Sequence, residues 1–282
     1  MPKSKRAAEI EELKRQFISD ADILGPFSDF EIVKIRNGEI FKENKTVATE
    51  VPFTIIANDI EIVTLLALPL NLKELAAGFL FTSSFIDSIE ELKSIYIDTS
   101  KWSAYCEVEK TPDPGMMNKR LFTSGCGKGV MYGSIDEISM RHPISTSLTI
   151  TKENVTELTK WLQHSSSLYR ITGGVHNAAL SFEGDIPEAS MDDIGRHNAV
   201  DKAIGKGLFE GLDFGRSILI SSGRTSSEIL QKARRAGIPV TMSRGAPTHQ
   251  TILRAMDMGI TVVGFARGGI FNIYSHCERI IV

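Results

Sequence analysis

The sequence predicts an α/β protein in which a smaller mixed α+β part precedes a mostly parallel sheet covered by helices. Three observations predict it. After about residue 170, strand-like and helix-like segments alternate with short connections, the pattern of β-α-β units. Before about residue 110, strand-like segments dominate and a single strong helical pattern interrupts them. The composition, 42% hydrophobic and 24% charged over 282 residues, is that of an ordinary globular chain able to bury a core.

In order, residues 1–29 read as a tail whose segment 4–18 is amphipathic, with Ile10, Leu13 and Phe17 on one helical face; an exposed, fraying end is the alternative. Residues 30–110 form the mixed part. FEIVKI alternates as a strand, and VPFTIIAN and EIVTLLAL flank a turn at Asn58-Asp59. Asn71 is placed to cap the helix LKELAAGFLFTSSF, after which KSIYID and AYCEVEK alternate again. Residues 111–150 begin with the turn-rich TPDPGMMN and read as a mobile loop region. The core spans 151–282. Thr151 caps a helix with Leu158, Trp161 and Leu162 inside. Then come the strand NAALSF, the largely helical DIGRHNAVDKAIGKGLFEG, the buried strand RSILISS and the helix SSEILQKARRAG, closed by Gly237. The strand IPVTMS, the helix PTHQTILRAMDMG with Pro247 at its start, and the strand ITVVGFA complete the alternation.

The formal net charge of −3 argues against a nucleic-acid coat or a membrane-surface protein. Its distribution is uneven. Residues 215–282 hold nine Lys and Arg against three Asp and Glu, a local +6, so the other 214 residues carry −9. A basic segment in an acidic chain points to a localised anion site. No uninterrupted apolar run reaches the roughly 18 residues of a membrane span, and the charged start MPKSKRAAEIEELKRQF has no apolar signal core. A cytoplasmic protein is expected. Cys106, Cys126 and Cys277 are too few and too widely spaced for a disulfide framework or a zinc site, so no bound metal is expected.

Three strands of the core end in loops that combine Arg with Gly. ISS leads into Gly223-Arg224-Thr225-Ser226, TMS into Arg244-Gly245-Ala246-Pro247, and VVGFA into Arg267-Gly268-Gly269. In open α/β sheets ligands sit beyond the carboxyl ends of the strands. Glycine lets backbone approach a ligand, and arginine offers a planar fork to phosphate oxygens. Each loop alone could be a tight turn with a solvated arginine; three together in the +6 segment favour a phosphate-rich ligand. Neither a P-loop nor a G-x-G-x-x-G fingerprint is present.

Thr123-Ser124-Gly125-Cys126-Gly127-Lys128-Gly129 sets a cysteine among three glycines and a lysine, a segment suited to an accessible thiolate on a movable arm. Cys106 alternates within a strand and reads as a packing residue, and Cys277 reads as incidental. His176 follows Gly173-Gly174, and His197 follows Gly195-Arg196. Either histidine could hold an anion or move a proton, or could simply be a satisfied structural residue at an element boundary.

With TSGCGKG, TGGVHNAAL, DIGRHNAVDKAIG, SSGRTSSEILQKARRAGIPV, SRGAPTHQTILRAMDMGITVVGFARG and YSHCERI in one order, the chain resembles the formate dehydrogenase accessory sulfurtransferase family, FdhD, over nearly everything after residue 30. The resemblance implies a cytidine-deaminase-like core, a homodimer and a cytoplasmic role in maturing formate dehydrogenase. It implies that sulfur arrives from a cysteine desulfurase as a persulfide. The sulfur then passes to the molybdenum bis(molybdopterin guanine dinucleotide) cofactor, whose guanosine end GDP would mimic. By position, Cys126 is the persulfide cysteine, and Phe265-Ala266-Arg267-Gly268-Gly269-Ile270 is the cofactor-binding stretch. The sequence departs from the family at two places. Many members carry a Cys-x-x-Cys pair in the loop where this chain has Cys126-Gly127-Lys128-Gly129, and Cys277 stands where proline is common.

Two other functions compete. A zinc deaminase would need H-x-E and P-C-x-x-C; His176 is followed by Asn177-Ala178, and no P-C-x-x-C occurs. A non-catalytic chaperone could bind the cofactor or the immature dehydrogenase without moving sulfur.

Overall fold

The computed structural model describes residues 25–112, 120–122, 130–132 and 143–282. The segment 4–18, the Cys126 loop 123–129 and His142 lie outside the described residues.

The chain opens with a regular hairpin of β1 (Phe27–Arg36) and β2 (Glu39–Ala48). Asn37 and Gly38 turn it with φ of 52° and 83°, the paired left-handed conformations that a two-residue hairpin loop needs. A second hairpin joins β3 (Val51–Ala57) to β4 (Ile60–Ala67) through Asn58 and Asp59, both at positive φ, as the sequence predicts. After α1 (Leu72–Thr82), β5 (Leu92–Asp98) and β6 (Ser103–Val108) complete a four-stranded sheet ordered β4-β3-β6-β5. The expected cap at Asn71 is not formed. Asn71 adopts a left-handed backbone conformation, φ 51°, and its side chain makes no capping bond. Two short strands, β7 (Arg120–Phe122) and β8 (Val130–Tyr132), pair with each other.

Next, β9 (Ile150–Thr151) leads into α2 (Lys152–Ser165), where Thr151 and Asn154 form a reciprocal capping box. The short α3 (Ser167–Thr172) precedes β10 (His176–Phe182), β11 (Met191–Asp193) and α4 (Arg196–Phe209). The alternation then follows as expected: β12 (Ser217–Ser221), α5 (Ser227–Ala236), β13 (Val240–Ser243), α6 (His249–Met258), β14 (Thr261–Arg267) and β15 (Ile270–Ser275). Helix α6 starts at His249 with Thr248 at its N-cap position, two residues after Pro247. The final β16 (Ile280–Ile281) pairs with β9.

The main sheet has the order β11-β10-β12-β13-β14-β15. The expectation of a mostly parallel sheet needs correction. Only β12, β13 and β14 run parallel; β10, β11 and β15 are antiparallel to their neighbours. The turn chemistry gives the reason. Gly268 and Gly269, at φ 56° and 82°, close a two-residue hairpin between β14 and β15, and no crossover helix intervenes.

Helix α2 covers one face of this sheet, where Leu158 and Leu162 meet Ile218, Ile220, Val240 and Met242; Trp161 is partly buried at its margin. On the other face α4 and α5 pack, and the same apolar cluster continues through α1 into the four-stranded sheet. Helices α1 and α4 cross with their backbones in contact. A Cβ added to Gly78 would overlap the Asp201 carbonyl oxygen, and one added to Gly205 would overlap that of Glu74. Polar ties reinforce the contact. Lys202, fully buried, pairs with Asp193 at 2.7 Å and donates to the carbonyls of Leu68 and Asp192, so all three of its N–H groups are used. Asp193 in turn accepts from the Leu68 and Gly195 amides and from Asn198. Much of the DIGRHNAVDK motif therefore acts as a clamp that fixes the start of α4 against the end of β4.

Candidate functional site

The parallel strands β12, β13 and β14 end together, and the loops that follow them are knitted to one another. Ser243 donates its hydroxyl to the Gly223 carbonyl, and the Gly245 amide donates back to Ser243 Oγ at 2.9 Å. The Phe265 amide donates to the Gly245 carbonyl at 3.1 Å, and Arg267 Nε to the Arg244 carbonyl at 3.3 Å. Gly245 passes close to Arg224: a Cβ there would lie 3.0 Å from the Arg224 Cα, a tight contact with backbone.

Strand β10 is antiparallel to β12, so its beginning lies at the same sheet edge. Ser222 joins them: its amide donates to the Asn177 carbonyl at 2.9 Å, and its hydroxyl accepts from the Asn177 amide at 3.0 Å. His176 Nδ1 lies 3.4 Å from the same hydroxyl. Burial pulls the His176 imidazolium below the ordinary histidine range, with the Arg196 charge next in weight and His197 also contributing. The neutral ring is favoured there. His197 pairs with Glu228 at 3.1 Å, and Ser226 donates to the same carboxylate at 2.8 Å. Those contacts, led by His197, hold Glu228 below the ordinary carboxylate range.

The structure thus gathers His176, His197, Arg224, Arg244 and Arg267 at one sheet edge, from segments 91 residues apart in sequence. Of the stretch 265–270, Phe265 is 47% and Ile270 75% exposed, Arg267, Gly268 and Gly269 are exposed, and Ala266 turns into the core beneath α2. Phe265 has φ 54° where the β14–β15 register shifts, and this bulge aims its ring outward. A cleft of ≈ 370 Å³ opens beside the cluster, lined by Gly173, Gly174, His176, Asn177, Ser222 and Arg244.

Two groups belong to this site that no motif in the sequence marks, Arg196 and Ser222. Arg196 opens α4 and lies against Gly223, where a Cβ would come within 2.8 Å of its own Cβ. Its Nε and Nη2 are buried without a hydrogen-bond partner, as is Nε of Arg244. Buried guanidinium N–H groups are costly unless something accepts from them, so these three point to an anionic ligand. The only signal for Arg196 was its place in the first turn of a helix beside a histidine. Ser222 carries no sequence signal beyond its residue type.

Asp192 lies on the α2 side of the sheet. It accepts from Ser166 at 2.8 Å through Oδ2, while its Oδ1 is buried without a partner. Burial pushes its carboxyl up to about 6 from an ordinary 3.8. Between these values the folded chain holds a proton that the unfolded chain has released, so stability falls as pH rises through that window. An Asp192→Asn chain cannot ionise there. It should therefore unfold at a higher temperature than the parent at pH 7.5 by scanning calorimetry, with the difference shrinking towards pH 4.

Cys106 is buried in β6, and burial pushes its thiol up to about 12. Cys277 is exposed, but it follows β15 and so lies at the opposite edge of the sheet from the cluster. Among the described residues no group of three His, Cys, Asp or Glu is arranged to hold a metal ion. No helix among them is long and apolar enough to cross a membrane.

Comparison with known proteins identifies the family of the chain. Residues 48–281 match the profile of the FdhD/NarQ family. A protein of Staphylococcus aureus (strain MRSA252) named sulfur carrier protein FdhD is 40% identical over 252 residues, covering 89% of this chain and 95% of its own. A protein of the same name from Staphylococcus haemolyticus is also 40% identical, over 88% of this chain and 95% of its own. The crystal structure of a proposed formate dehydrogenase accessory protein from Desulfotalea psychrophila superposes with a TM-score of 0.75 at 27% identity. The match covers 90% of this chain and 99% of that one.

Proposed function

Because the chain belongs to the FdhD/NarQ family, we propose that it is a sulfur carrier that serves the maturation of a formate dehydrogenase. The sulfur donor is a cysteine desulfurase, and Cys126 is the carrier. The Cys126 thiolate attacks the outer sulfur of the desulfurase persulfide; the S–S bond breaks, and its electron pair leaves on the desulfurase cysteine. Lys128, two residues away in sequence, supplies positive charge that favours the attacking thiolate. The recipient is the molybdenum bis(molybdopterin guanine dinucleotide) cofactor, held as cargo at the ends of β12, β13 and β14.

One observation carries the cargo assignment. Arg196, in the first turn of α4, and Arg244, after β13, have buried, unpartnered N–H groups, and no side chain caps the N-terminus of α4 or of α5. That arrangement suits phosphate oxygens. Arg224 and Arg267 extend the positive surface outward, and His176, kept neutral, can accept or donate one hydrogen bond without adding charge. Glu228 is held by His197 and Ser226 within the same cluster of loops.

GDP tests this directly, because it presents the guanosine and phosphate portion of the cargo. Calorimetric titration should show binding that weakens about tenfold or more in Arg244→Ala and in Arg267→Ala, the loss typical of a charge-assisted hydrogen bond. Absence of heat at millimolar GDP, or equal affinity in all three chains, would contradict the site.

A further inference from the structure

Strand β10 is longer than its outer neighbour. Its ladder to β11 joins His176 to Asp193, Asn177 to Asp192 and Ala178 to Met191 and then stops, whereas β10 continues to Phe182. The sequence of the returning chain gives the reason. Carried on in the same register, Ala189 would face Leu180 and Pro187 would face Phe182. Proline has no N–H to give to a ladder, and residues 185–190 run outside the sheet. The inner side of β10 shows which groups this leaves open. The Asn177 carbonyl accepts from the Ser222 amide, and the Glu183 amide donates to the Arg216 carbonyl at 3.0 Å, so the odd-numbered residues face β12. Backbone groups alternate along an antiparallel strand. The N–H and C=O of Leu180 and the N–H of Phe182 therefore point to the vacated edge, while the Phe182 carbonyl is taken by the Asp185 amide at 2.8 Å. Among the described residues no strand pairs with β10 beyond Ala178 on this side. A cleft of ≈ 360 Å³ lies here, lined by Leu180, Met191, Ala203 and Leu212. Asp185, Glu188 and Glu210 line it too, against one ammonium, Lys206, which contacts Glu210.

We propose that the open edge of β10 at Leu180 and Phe182 receives, as an added strand, an extended segment of a partner protein in which apolar and basic residues alternate. Backbone groups free at strand spacing are answered by another extended backbone, the mode of recognition in which main-chain bonds give affinity and side-chain pockets give selectivity. The apolar lining takes the residues that lie over Leu180 and Phe182. Charge selects the rest. Asp185 and Glu188 are exposed and form no ion pair among the described residues, so the cleft attracts a basic segment and repels an acidic one. A run of about five residues, about 17 Å long, pairs with the edge and extends one residue beyond it at each end. The inference rests on the strand register and not on the sulfur-carrier reading. It is also compatible with that reading: His176 and the arginine cluster stand at the beginning of β10 and this cleft beside its end, so a docked segment leaves the cluster open.

The probe is a synthetic capped peptide, Lys-Val-Lys-Val-Lys, titrated into the full chain. It should bind, and its counterpart with glutamate in place of lysine should not. With the valine side chains over Leu180 and Phe182, the valine amides face β10. N-methylation of both valines should therefore weaken binding at least about tenfold, whereas N-methylation of the middle lysine, whose amide faces away, should not. Asp185→Lys with Glu188→Lys, both exposed, should reverse the preference between the lysine and glutamate peptides and leave the melting temperature unchanged. Amide exchange locates the contact: in the chain alone Leu180 should exchange at least about tenfold faster than Ala179 and Ser181, and the lysine peptide should slow it. No binding of that peptide at millimolar concentration, equal affinity of the valine-methylated form, an unchanged preference in the doubly substituted chain, or a Leu180 amide already protected in the chain alone would each overturn the proposal. Protection that appears only as the chain is concentrated would assign the edge to a second copy and overturn it equally.

Discussion

A Cys126→Ser chain is expected to leave formate dehydrogenase inactive in cells that lack the parent protein, while folding and binding GDP as the parent does. A serine hydroxyl cannot hold a sulfane sulfur, and neither remaining thiol can take over. Cys106 is buried with its thiol pushed up to about 12, so the thiolate that must attack a persulfide is scarce at neutral pH. Cys277 is exposed but stands at the sheet edge away from Arg196, Arg244 and His176. Cys106→Ser and Cys277→Ser should therefore keep most of the activation. Full activation by Cys126→Ser would replace the relay with a non-catalytic chaperone. Loss of activation in Cys277→Ser alone would move the sulfur path to the other thiol.

The second large effect is structural. Gly205→Val should fail to accumulate as folded protein, and Gly205→Ala should lose at least about 3 kcal/mol, the upper end of ordinary overpacking. The added Cβ has no flexible neighbour to push aside, because it meets the Glu74 backbone carbonyl on α1. Relief would require α1 and α4 to separate. That separation would break the 2.7 Å bond from Thr82 of α1 to Asp201, a carboxylate that also pairs with Lys232. A buried carboxylate that loses a hydrogen bond adds to the loss. Denaturant unfolding measures this. A Gly205→Ala midpoint equal to that of the parent would mean that the helices cross less tightly than the structure has them.

Elements with a strong local signal were legible in the sequence. The Asn58-Asp59 turn, the Thr151 cap, the Gly237 stop and the succession β12-α5-β13-α6-β14 each follow from short-range chemistry. Two glycine turns were not read for what they do. Asn37-Gly38 folds residues 27–48 into a hairpin, of which only the first strand was anticipated. Gly268-Gly269 was read as a ligand loop, and the structure uses it as the hairpin that makes β15 antiparallel. Both readings rest on the same property of glycine, and only the strand that follows decides between them. In the site, the arginines after the three strands were legible because they recur with glycine. Arg196 is not, because its significance lies in buried N–H groups that lack a partner, which no spacing records. DIGRHNAVDK divides in an instructive way: Asp193, Asn198 and Lys202 hold the fold, while Arg196 and His197 face the site.

Whether sulfur resides on Cys126 is decided by measuring peptide mass. The purified chain is incubated with a cysteine desulfurase and cysteine, alkylated without reductant and digested. The peptide containing Cys126 should gain about 32 Da, one sulfur atom, and lose it on reduction. No gain on that peptide, or a gain confined to the Cys277 peptide, would contradict that assignment.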